Sequence, residues 1–193
     1  AARSTLPVLG NVLLATDDSR LRLSATNLEL GITCWIGAKV HAEGSTTVPA
    51  KTFIDLVGTL PRDRLDLELT TRTQTLQVTC AQFNNDIKCI DAQEFPILPS
   101  ADEAQVVELN VRDLRAMIDQ VVFAAATDDA RPVLTGVEVK IEGGEVSFAA
   151  ADGFRLALCK SALSVTDGES ISAIIPARGL AELARIVGDQ DDP

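Results

Sequence analysis

A chain of 193 residues holds one large or two modest domains, and 46% hydrophobic with 23% charged residues is a globular rather than a disordered composition. Six Phe, one Trp and no Tyr leave Val, Leu, Ile and Ala to build the core. The net charge of −11 argues against a simple phosphate-groove binder, which carries a basic patch and a high pI, and against adhesion to an acidic membrane. The sequence shows no secretory signal pattern and no apolar run of about 18 residues, so a cytoplasmic location is expected. Cys34, Cys80, Cys89 and Cys159 form no C-x-x-C pair, and His41 is the single histidine. No metal site and no cofactor are expected, and the cysteines read as reduced core residues.

Residues 1–5 read as a tail. Val8–Ala15 and Leu21–Thr26 read as short strands parted by a turn at Thr16-Asp17-Asp18-Ser19. Leu21, Leu23 and Ala25 alternate with Arg22 and Ser24, the period of a half-buried strand. Leu28–His41 continues as a strand or hairpin arm. The period then changes: Phe53, Leu56, Val57 and Leu60 mark one face of a helix that Pro49 opens and Pro61 stops. Leu65–Leu69, Thr75–Cys80 and Asp86–Ile90 return to alternation. Residues 91–105 break all periodicity and hold two prolines and an acidic cluster, the best linker candidate.

Beyond the linker, Val106–Asn110 reads as a strand and Val111–Ala126 as a helix. Its apolar face carries Leu114, Ile118, Val121, Val122 and Ala125, and Arg112, Arg115 and Asp119 lie opposite. Val133–Glu142, Glu145–Ala151 and Phe154–Ser164 read as strands, with Gly143-Gly144 as a turn. Ala177–Val187 reads as a second amphipathic helix, Leu180, Leu183, Ala184 and Val187 inward, Arg178, Glu182 and Arg185 outward.

The chain repeats itself. Pro7, Leu9, Val12 and Ala25 recur 125 positions later as Pro132, Leu134, Val137 and Ala150, and Pro49, Ala50 and Leu56 recur 127 positions later as Pro176, Ala177 and Leu183. The strand-then-helix grammar is the same in both copies. The period is too long for a solenoid, so each copy should be a domain, one over residues 1–102 and one over 103–193. The copies are unequal. The strand and helix ahead of Pro132 have no counterpart ahead of Pro7, and copy one runs 51 residues past Pro49 whereas copy two runs 17 past Pro176. The expectation is a piece of a longer protein, with apolar sheet edges exposed.

Four segments in this order, on a duplicated frame, resemble a known family: Thr5-Leu6-Pro7-Val8-Leu9-Gly10-Asn11, Thr47-Val48-Pro49-Ala50-Lys51, Glu94-Phe95-Pro96 and Ala151-Asp152-Gly153-Phe154-Arg155-Leu156-Ala157. The chain resembles the bacterial sliding clamp, the beta subunit of DNA polymerase III, over essentially its whole length. The resemblance implies an α+β fold of repeated domains, helices lining a central hole and antiparallel sheets outside. It implies a homodimeric ring around double-stranded DNA that acts as the processivity factor of the replicative DNA polymerase. A ring holds DNA topologically, which suits an acidic exterior with only a weak phosphate-directed field inside. The cations it would turn to DNA are Arg3, Lys51, Arg112, Arg115, Arg178 and Arg185. All of these but Arg3 also suit an ordinary solvated helix face.

The resemblance further implies a pocket for short motifs of the polymerase, the clamp loader and repair proteins, falling here on Arg131, Leu134, Ala151, Gly153, Phe154, Arg155 and Leu156. Leu134 and Leu156 would wall a slot for apolar anchors, or be plain core. Gly153 would admit a peptide, and Arg155 would hydrogen-bond its polar end. The family often has Thr at 151 and His at 154, so motif preference should differ. Asn85 stands where some members place an apolar residue at the subunit interface. An enzyme would need more than Asp152 beside Arg155: there is no nucleophile–base pair, no phosphate-cradling loop and no metal spacing. Asp152 reads as a turn residue, and no catalysis is expected. The competing reading is a non-DNA interaction scaffold on the same duplicated fold.

Overall fold

The computed structural model describes residues 6–99, 107–128, 130–163 and 170–187. Cα packing divides the chain into two compact units, Ala1–Ser100 and Ala101–Pro193.

In the first unit a 3-10 turn, Pro7–Gly10, leads into strands β1 (Asn11–Asp17), β2 (Arg20–Thr26), β3 (Gly31–Gly37) and β4 (Ser45–Pro49). These form an antiparallel sheet in the order β3-β2-β1-β4. Helix α1 (Ala50–Thr59) follows at once, because Pro49 cannot extend the ladder and its fixed φ suits a helix entrance. Strands β5 (Leu65–Thr70), β6 (Thr75–Cys80) and β7 (Phe83–Lys88) make a second antiparallel sheet. The two sheets are joined by Thr47 and Ile90, which exchange backbone bonds of 3.0 and 3.1 Å. Buried Thr47 also donates its hydroxyl to the Ile90 carbonyl and accepts from Asn11, so this polar point in the core is satisfied. Leu14, Val48, Leu76, Val78 and Ile87 form the core.

In the second unit α2 (Val111–Val121) precedes β8 (Gly136–Glu142), β9 (Glu145–Ala151), β10 (Leu156–Ala162), β11 (Ile171–Pro176) and α3 (Ala177–Val187). The sheet order β10-β9-β8-β11 repeats that of the first unit element for element. The two-residue turns match as well: Asp18-Ser19 joins β1 to β2 with Asp18 at φ 52°, and Gly143-Gly144 joins β8 to β9. Both helices cover one face of this sheet. Met117, Ile118 and Val121 of α2 and Leu180 and Ala184 of α3 share a core with Val146, Phe148 and Ala150, the alternate residues of β9. The opposite face, carrying Leu156 and Leu158 beside Ala151 and Ala149, is left open.

Four expectations change. Residues 107–110 form no strand, and the Asn110 carboxamide caps α2 by accepting from the Arg112 N–H at 2.9 Å. The α2 ladder ends at Val121, where two consecutive β-branched residues give way to a 3-10 turn over Val122–Ala124. The front of the expected linker is packed: Asp91 caps a turn at Ala92–Glu94, and Phe95 is buried. Cys34 is exposed rather than core, because β3 is the sheet's edge and Cys34, opposite Leu23, lies beyond the apolar cluster. Cys80 is buried, and Cys89 and Cys159 are half-buried. Exposed Ile32, Trp35 and Ile36 on β3 match the expected apolar edge.

Candidate peptide and nucleic-acid interfaces of the second unit

The connection from β9 to β10 is built around one carboxylate. Asp152 Oδ1 accepts from the backbone N–H groups of Phe154 and Arg155 at 2.9 and 3.0 Å. Its Oδ2 takes the Arg155 Nε at 3.0 Å. Gly153 between them sits at φ 92°, a conformation that favours glycine. Donation from the two amides, and secondarily the Arg155 charge, holds the Asp152 carboxyl below its ordinary 3.8.

A second arginine closes on the same turn. Arg131 donates from Nη2 to the Asp152 carbonyl at 3.0 Å. A Cβ at position 153 would stand 2.9 Å from Arg131 Nη1, so a side chain there would make the guanidinium shift, while the φ favours glycine in its own right. Arg131 precedes the Pro132–Thr135 turn, in which the Leu134 N–H returns to the Arg131 carbonyl at 2.9 Å. The Arg155 guanidinium lies over the Phe123 ring, 5.6 Å from its centroid.

The structure thus gathers Arg131 and Arg155 on Asp152, with Gly153, Phe154 and Leu156 carried on the same turn and strand. Phe154 is 97% exposed and Leu156 73% exposed, which removes the plain-core reading of Leu156. Leu134 and Ala151 are half-buried. Sequence reasoning missed Phe123, thirty-two positions from Arg155, and read Asp152 only as a turn former. One signal existed for Asp152. The matching turn of the first unit runs from Thr26 to Gly31, and there Asn27 Oδ1 accepts from Glu29 and Leu30 N–H at 3.0 and 2.8 Å. An amide suffices where Leu30 replaces Arg155.

The cations fall elsewhere. Arg112 and Arg178 are exposed on α2 and α3, Arg115 is half-buried on α2, and Arg185 is exposed but paired with Glu182 at 2.6 Å. All four belong to the helix layer, on the side of the sheet away from its open face. Lys51 is exposed on α1 of the first unit. Arg3 lies outside the described residues. Asn85 is half-buried on β7, opposite Val78. Among the described residues no helix is long and apolar enough to cross a membrane, and no three His, Cys, Asp or Glu side chains gather as a metal site.

A duplicated α+β unit with this sheet order defines a clamp-type fold, and comparison with known proteins agrees. The N-terminal-domain family of the DNA polymerase III beta subunit matches residues 1–99, and the central-domain family matches residues 108–193. The beta sliding clamp of Synechocystis is 36% identical over 98% of this chain, and that of Bacillus subtilis 30% identical over all of it. The crystal structure of the Bacillus subtilis sliding clamp superposes with a TM-score of 0.92 at 27% identity, covering all of this chain and 52% of that one. The Pseudomonas aeruginosa beta subunit superposes at 0.86 with 32% identity, over 98% of this chain and 52% of that one. The chain belongs to the DNA polymerase III beta-subunit family, the bacterial sliding clamps. It spans about half the length of the curated relatives it matches.

Proposed function

We propose that this chain is part of a DNA sliding clamp, the processivity factor of a replicative DNA polymerase, which acts in the cytoplasm as a homodimeric ring around duplex DNA. It catalyses nothing itself. It recruits the polymerase, the clamp loader and repair proteins through short peptide motifs. The supporting observation is the division of the second unit between the two sides of its sheet. Exposed Arg112 and Arg178 belong to the helix layer, and the arginine-flanked turn with exposed Phe154 and Leu156 borders the open face. One side suits phosphates and the other a peptide with apolar anchors.

Lys51, Arg112, Arg115, Arg178 and Arg185, with Arg3, are the residues assigned to DNA in this reading. Arg131, Leu134, Ala151, Gly153, Phe154, Arg155 and Leu156 are those assigned to the peptide. With alanine at 151 there is no hydroxyl to hydrogen-bond a peptide, and Phe154 enlarges the apolar surface, so the preferred motif should be richer in apolar side chains than one chosen by Thr and His.

The test is to replace Arg112 and Arg178 with alanine in the full-length gene product. Loading onto primed circular DNA by the clamp loader and ATP should slow several-fold, with peptide binding unchanged. Unchanged loading would favour the competing reading, an interaction scaffold without DNA.

A further inference from the structure

We infer that Asp152 is a positioning residue for peptide recognition: its carboxylate sets the Arg155 guanidinium to receive a carboxylate on the incoming peptide. The inference rests on the peptide-binding role proposed above and names the chemistry of its ligand.

The internal repeat supplies the argument. Both units make the same strand-to-strand turn, and residues 27 and 152 each accept two backbone N–H groups through Oδ1. Asn27 does this with an amide, so the turn itself does not need a charge. The second oxygen of residue 152 does what Asn27 cannot do, and holds Arg155 at 3.0 Å. Leu30 stands in place of Arg155 in the first unit, and Leu6 in place of Arg131. The carboxylate therefore accompanies the arginines. Asp152 takes Arg155 through Nε, and the Phe123 ring lies 5.6 Å from the guanidinium carbon. A guanidinium has five N–H donors in a fixed fork, so one gripped through Nε can still present Nη donors to a second carboxylate. Exposed Phe154 and Leu156 beside it offer apolar contact to the same peptide.

Charge alone and position predict opposite signs. Asp152→Asn removes a negative charge beside Arg155, so if charge alone mattered an acidic peptide would bind more tightly. If Asp152 positions Arg155, the peptide binds less tightly, because the guanidinium is released while the turn is kept.

The probe is a fluorescein-labelled pentapeptide with leucine and phenylalanine anchors and one aspartate, titrated against the full-length gene product by fluorescence anisotropy. A second peptide carries asparagine in place of the aspartate. Asp152→Asn should weaken the aspartate peptide about tenfold, the lower end of the range for a hydrogen bond to a charged group. It should leave the asparagine peptide within about twofold, and its effect should vanish when Arg155 is already alanine, the non-additivity expected of coupled residues. Asp152→Ala, which also loses the turn, should weaken both peptides. Tighter or unchanged binding of the aspartate peptide to Asp152→Asn overturns the inference and leaves the peptide site standing. An equal loss for both peptides that persists without Arg155 reduces Asp152 to a structural role and also overturns it. No binding of either peptide to the unsubstituted protein removes the peptide-site reading along with the inference.

Discussion

Helices α1 and α3 occupy the same place in the two units, each opened by a proline that ends the preceding strand, and they are packed differently. In α3, Ala177, Leu180 and Ala184 are buried in a core shared with α2. In α1 no residue is buried, Ile54 is 65% exposed, and Val57, the counterpart of Ala184, is 42% exposed. Among the described residues the first unit has no helix corresponding to α2, and the second has no sheet corresponding to β5-β6-β7. An amphipathic helix laid on one sheet leaves part of its apolar surface open, and a second helix alongside closes it. The repeated helix is thus buried along one face in the second unit and left partly open in the first.

The largest expected effect follows from that contrast. Leu180→Ala should destabilise the second unit by about 2–5 kcal/mol, the usual cost of a cavity in a packed core. Ile54→Ala should change the stability of the first by no more than about 0.5 kcal/mol, as at other exposed positions. Urea unfolding of the 193-residue chain checks both, and equal losses would break the comparison.

The strand-to-strand turns give a second contrast, of opposite sign. Gly153→Ala places a Cβ at φ 92° and should cost about 1 kcal/mol or more. In the first unit the matching residue is Leu28, at φ 76° and exposed. Leu28→Gly should stabilise that unit by about 1 kcal/mol, the penalty a side chain incurs in the left-handed region. A loss of stability at both positions would show that the two turns are not equivalent.

Much of this was legible beforehand. Leu180, Leu183 and Ala184, or Phe53, Leu56 and Val57, announce helices by their spacing, and proline 49 or 176 announces where they begin. The 125-residue offset fixes the correspondence between Asn27 and Asp152. What was hidden depended on neighbours in space. Cys34 looks like core by alternation, but its strand lies at a sheet edge. Phe95 sits in an aperiodic, proline-rich stretch and is buried all the same. Phe123, in the 3-10 turn after α2, meets Arg155 from thirty-two positions away, a contact that no local pattern shows. Arg131 and the turn at Gly153 stand apart in the sequence, and the 3.0 Å bond from Arg131 to the Asp152 carbonyl appears only in three dimensions.

The smallest effect sharpens the account of the turn. The Asp152 carboxyl lies below 3.8, first through the Phe154 and Arg155 amides and only then through the Arg155 side chain. A depressed carboxylate contributes order that is present above its unfolded value and lost as pH falls through its lowered one. The turn should therefore stay intact at pH 4 and loosen only at lower pH. Carboxyl carbon NMR should report a midpoint below 3.8 in the unsubstituted protein, and Arg155→Ala should leave most of that depression. A return to 3.8 in Arg155→Ala would mean that the ion pair, not the amides, governs the group.

The central proposal is that the full-length protein holds DNA by enclosing it. The most direct test loads the full-length gene product onto nicked circular DNA with its clamp loader and ATP, then follows co-elution on gel filtration before and after the circle is linearised. Retention on the circle and loss after cutting is the predicted result. Equal retention on circular and linear DNA would mean binding by surface contact, and would contradict the account.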